Sequence, residues 1–164
     1  MSDERRTTRQ RRYLSLGLGE LTAAAVFAAV ALVTVVPMFN DEQGALALWA
    51  ALVPLLAILL QAGAYWLLAR SWVELRPMPL RVARLFRVLR VLDAALLVAG
   101  LVGVLLWLPA QPGLAILVVL VWLFGMIEYV NYFTVRLAYP VSQWARLIGQ
   151  WRTPRLMQDV RSAA

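Results

Sequence analysis

Apolar residues along this chain gather into four long blocks, each closed by a short polar or proline-rich cluster. The first, residues 21–39, carries no charge and is closed by Phe39, Asn40, Asp41, Glu42, Gln43 and Gly44. At about 1.5 Å per residue it reaches close to the ~30 Å of a bilayer's hydrocarbon core. The second, 45–69, is longer and contains Pro54, which predicts a tilted or kinked span. The third, 91–108, is stopped by Pro109, Ala110, Gln111, Pro112 and Gly113, and the fourth runs from 114 to 135. The pattern predicts an all-α, polytopic integral membrane protein, with four transmembrane helices in an antiparallel bundle.

Two amphipathic stretches lie outside the blocks. After Pro77 and Pro79, arginines recur at every third position, Arg81, Arg84, Arg87 and Arg90, while Val82, Leu85, Phe86, Leu89 and Leu92 form an apolar stripe. This predicts a helix lying in the interface or running into the third span. After Pro140, Val141, Trp144, Leu147, Ile148 and Trp151 share one face, predicting a second interfacial helix ended by Pro154. The expected layout is one membrane domain over 1–164. It comprises a basic tail 1–13, spans 14–39, 45–69, 91–108 and 114–135, a basic segment 70–90, an interfacial helix 140–153 and a polar tail 154–164.

Composition supports the membrane reading. The chain is 62% apolar and 15% charged, against about 45–50% and about 25% in soluble domains. It has no cysteine, histidine or lysine, which removes thiolate, imidazole and Schiff-base chemistry and the usual zinc ligands. All 16 basic residues are arginines. They fall in the N-terminal tail, the segment between the second and third blocks, and the C-terminal segment. The positive-inside rule then places both termini in the cytoplasm of a bacterial-type membrane. No cleavable signal peptide is expected, so the first span is retained. The formal net charge of +7 is accounted for by that rule, and nucleic acid is not expected as a partner. Arg81, Arg84, Arg87, Arg90, Arg146 and Arg152 are the candidate contacts to anionic lipid headgroups or an acidic partner, at about 1 kcal/mol per residue.

The string RVARLFRVLR resembles the charged helix of voltage-sensor domains, which repeats arginine at every third position. It departs from that pattern because the uncharged span begins only after Arg90.

The candidate chemistry is a polar layer. Stretches 94–108 and 114–127 fall short of the ~17 residues needed to cross, so these spans must include Asp93 and Glu128. Counted from the arginine-rich ends, Glu20, Gln61, Tyr65, Asp93, Glu128 and Asn131 all lie roughly 5–14 Å deep. Helical spacing sets Glu20 with Ala24, Ala28 and Ala31, and Gln61 with Ala50, Pro54, Ala57, Ala64 and Tyr65. Asp93 aligns with Gly100 and Gly103, and Glu128 with Gly125, Asn131 and Tyr132. Such faces are expected to meet inside the bundle.

Asp93 is expected to sit in the first turn of its span, eased by the helix dipole and Arg90. Glu20 is expected to pair with a tail arginine. Trp122, midway along the fourth span, is expected to pack. Glu128, the deepest acid, has no arginine within one turn. It divides between an inter-helix hydrogen-bond cluster and a protonatable or cation-binding site.

Two functional expectations follow. One is a non-enzymatic binding, scaffold or accessory subunit, homo-oligomeric or part of a larger membrane complex. The other is an oligomeric proton- or cation-coupled transporter or channel using Glu128 and Glu20. In size, span number and first-span glutamate the chain is similar to small multidrug exporters, without their motifs in the other spans. No cofactor, metal site or enzymatic activity is expected.

Overall fold

A computed structural model describes residues 2–73, 76–135 and 153–163. Among them are five α-helices and no strand: α1 Ser2–Val30, α2 Glu42–Ala69, α3 Leu80–Leu106, α4 Pro112–Phe133 and α5 Arg155–Ser162. The first four are long and apolar enough to cross a membrane, the first as a continuous helical stretch Arg6–Met38.

Local sequence explains where each helix begins and ends. Pro37 lacks an N–H, and its ring would collide with the carbonyl of Val33 in a regular helix. The chain instead widens into a π turn over Ala31–Val35, where Val36 donates to the Ala31 carbonyl, and closes with a 3₁₀ turn Val36–Met38. Asp41 caps α2, its side chain accepting from the Gly44 N–H at 2.7 Å, with Glu42 in the first turn. Pro79 precedes α3, Pro112 opens α4 and Pro154 precedes α5.

The differences from the sequence-based expectations are instructive. The basic N-terminal segment is not a separate tail but the start of α1. Of the two alternatives for the arginine-rich stretch, the structure has the second: it is the first half of α3, continuous with the third span. The expected polar tail folds as α5, because Leu156, Met157 and Val160 form a short buried stripe. The expected interfacial helix 140–153, with Arg146 and Arg152, lies outside the described residues.

Helix α2 is the shared packing partner, in contact with α1, α3 and α4. Half of its apolar window, 50%, is buried within the chain, against 17%, 28% and 17% for the other three. Those three turn Val33, Val98, Leu105, Leu106 and Ile116 outward, as lipid-facing helices do. One cluster joins Ala24, Val35, Leu48, Leu52, Leu55, Val104 and Val118. The other joins Tyr65, Trp72, Phe86, Tyr132, Phe133, Leu156, Met157 and Val160, and includes α5.

The α2–α3 contact is set by Pro54 and Gly100. Pro54 cannot donate to the carbonyl of Ala50, and Gly100 of α3 lies directly over that carbonyl. A Cβ at position 100 would fall 2.5 Å from Ala50 O and 3.1 Å from the Pro54 ring. The α1–α2 crossing is similarly close at Gly63, where a Cβ would meet Leu21 at 2.8 Å and the Gly17 carbonyl at 3.2 Å. Small residues at such crossings let helices approach in a bilayer.

Because a backbone carbonyl cannot swing aside as a side chain can, Gly100→Val is expected to destabilise the protein by about 1–3 kcal/mol. Gly113→Ala, where an added Cβ meets nothing within 4 Å, is expected to be neutral. Unfolding curves of the two variants in one detergent check both.

Candidate functional site

The polar residues of the spans meet in separate groups arranged around α2. Gln61 projects from α2 toward α3, where its Nε2 donates to Asp93 Oδ1 at 2.8 Å. Asp93 is fully buried. It lies more than three turns into α3, since the helix begins at Leu80, so neither the helix N-terminus nor the dipole supports it as expected. Its partner is an amide on the neighbouring helix. The other oxygens of the pair, Gln61 Oε1 and Asp93 Oδ2, are buried with no hydrogen-bond partner among the described residues.

A second group lies on the α1–α4 side. Tyr132 of α4 donates to Glu20 Oε1 of α1, and Trp66 Nε1 of α2 donates to the same tyrosine oxygen at 3.4 Å. Three helices thus meet at one phenol. Glu20 is held by this tyrosine rather than by the tail arginine expected for it. Glu128, one turn before Tyr132, is half-buried, hydrogen-bonded to Asn131 and within electrostatic reach of Glu20. Phe27 and Phe124, with ring centroids 5.6 Å apart, extend the α1–α4 seam.

Tyr65 joins neither group. Its hydroxyl donates to Asp159 Oδ2 of α5 at 2.9 Å, and Trp72 Nε1 donates to the same oxygen at 3.3 Å. Arg155 reaches the other carboxylate oxygen at 3.1 Å. Asp159 is buried, and sequence reasoning did not single it out. The available signal was faint: one acid four residues after an arginine, flanked by Leu156, Met157 and Val160.

Helices α3 and α4 are tied through backbone carbonyls. Trp122 Nε1 donates to Leu97 O at 2.9 Å and Tyr129 Oη to Arg90 O at 3.3 Å, so Trp122 bonds as well as packs. Arg81, Arg84 and Arg87 are exposed along α3, with Arg90 half-buried. A shallow groove beside them is lined by Arg87, Val88, Val91 and Leu92.

No known protein family, curated protein or solved structure matches the chain. The chemistry must therefore be read from the side chains alone. Each paired carboxylate accepts from an amide, phenol, indole or guanidinium of another residue, which is how a bilayer-embedded polar group is satisfied and how helices are held in register. No group of three or more acids poised to hold a metal occurs among the described residues.

A helix of eight residues does not persist alone in water, so α5 depends on its docking. Asp159→Ala leaves Tyr65 and Trp72 without their acceptor, at a cost of about 1–3 kcal/mol. Faster amide exchange confined to residues 155–162 is the expected outcome, with Tyr65→Phe showing a smaller effect in the same direction.

Proposed function

We propose that the protein is an integral membrane protein of a bacterial-type cytoplasmic membrane, both termini cytoplasmic, with its spans forming an antiparallel bundle. In this reading it acts as a non-enzymatic binding, scaffold or accessory subunit that self-associates or joins a larger membrane complex. The observation that carries the reading is how the polar layer is used. Glu20, Asp93 and Asp159 are each engaged by donors on another part of the chain, as structural ties are, while the outer faces of α1, α3 and α4 stay apolar. The exposed arginines of α3 would face anionic lipid headgroups or an acidic partner on the cytoplasmic side.

A second reading is favoured by one specific feature, the approach of Glu20 to Glu128. Two acids within electrostatic reach of one another on α1 and α4 would give a proton- or cation-coupled transporter its ionisable centre, with the pathway completed between subunits.

Two measurements separate these readings. Purified in mild detergent, the protein is expected to migrate as an oligomer or with a retained partner or lipid; a bare monomer contradicts the accessory role. In proteoliposomes, Glu128→Gln is expected to leave proton and cation flux unchanged from the parent. A flux present in the parent and abolished in the variant would establish transport instead.

A further inference from the structure

Arg6 and Arg70 take no part in the polar layer. Arg6 lies one helical turn before Gln10 on α1, so the two share a face. Gln10 Nε2 donates to the carbonyl of Arg70 at 3.2 Å, which sets that face against the end of α2. Both arginines are half-buried, and on each the Nε–H is buried with no acceptor among the described residues.

Three carbonyls at the end of α2 are already engaged. The Leu68 carbonyl takes the Ser71 N–H and hydroxyl, that of Ala69 takes the N–H groups of Trp72 and Val73, and that of Arg70 takes Gln10. The Arg155–Asp159 ion pair is formed elsewhere, on α5. Among the described residues, two permanent cations on helices that Gln10 ties together thus each keep a buried donor without an acceptor. A buried donor without a protein partner points to water or an ion, and for two permanent cations the fitting partner is an anion.

We propose that Arg6 and Arg70 form an anion site for a phosphate group. The Nε–H and one Nη–H of a guanidinium make a planar two-donor edge that matches two phosphate oxygens, and two such edges can hold one tetrahedral group from both sides. The phosphate is that of an anionic phospholipid or a free phosphate. Only the lipid source rests on the membrane reading above; the recognition chemistry does not.

The test uses the full chain, delipidated in a neutral detergent, with phosphatidylglycerol, phosphatidylcholine and inorganic phosphate as probes, followed by native mass spectrometry and thermal unfolding. Phosphatidylglycerol is expected to bind at one site per chain in preference to phosphatidylcholine and to raise the unfolding temperature. The Arg6→Lys/Arg70→Lys variant keeps both charges but loses the two-donor edge, so its affinity is expected to fall by on the order of tenfold. Arg11→Lys/Arg12→Lys, a pair of exposed arginines on α1, is expected to bind like the parent. Inorganic phosphate matching the lipid assigns the site to free phosphate, and lipid binding without phosphate binding assigns it to a headgroup. Equal binding by parent and Arg6→Lys/Arg70→Lys, or no preference for either phosphate probe over phosphatidylcholine, overturns the site. A bare monomer that still binds the probe would remove the accessory reading and leave this one standing.

Discussion

Water does not follow a helix into hydrocarbon, so a polar side chain carried there has to be met by another part of the protein. The arrangement around α2 follows from that constraint. Gln61 of α2 meets Asp93 of α3, Trp66 of α2 reaches the Tyr132–Glu20 pair that joins α4 to α1, and Tyr65 of α2 holds Asp159 of α5. One helix therefore supplies a donor to every group of acids tied between elements. It is also the helix most buried by its neighbours. Removing Gln61 would strip Asp93 of its donor and removing Tyr65 would take one of three from Asp159, whereas Glu20 would keep its bond from Tyr132.

Backbone chemistry works toward the same end. Pro54 withdraws the N–H that would have occupied the Ala50 carbonyl, and Gly100 lets α3 come close enough to cover it. The contact lies on the same α2–α3 seam as the Gln61–Asp93 bond, roughly two turns away along each helix. A shape constraint and a polar constraint thus fix one register between the two helices. At the other end, the Asp159 carboxylate fastens a helix too short to stand alone onto Tyr65 and Trp72.

Much of this was legible in the sequence, for physical reasons that also mark where legibility ended. Four spans could be read because a bilayer demands long uninterrupted apolar blocks. The small-residue faces could be read because 3.6-residue spacing sets Gln61 with Ala50 and Pro54, and Asp93 with Gly100 and Gly103. Which face meets which could not, because depth and orientation on a helix do not name the neighbour. Asp93 was misjudged since a charged turn looks like the edge of a span, whereas α3 continues through Arg81, Arg84, Arg87 and Arg90 without a break. Asp159 was missed because a stripe of three apolar residues in a polar terminus lies below what periodicity can resolve.

The central claim is that polar side chains inside the spans are tied to one another across helices, with α2 as the common partner. The Gln61–Asp93 pair tests it most directly, through a double-mutant cycle with Gln61→Leu and Asp93→Leu measured by unfolding in one lipid or detergent system. Each single change strands a buried polar group and is expected to cost about 1–3 kcal/mol, whereas the double change removes both groups and costs less than the sum by about 1 kcal/mol or more. Strictly additive losses would show that the two side chains do not depend on one another, and would contradict the account.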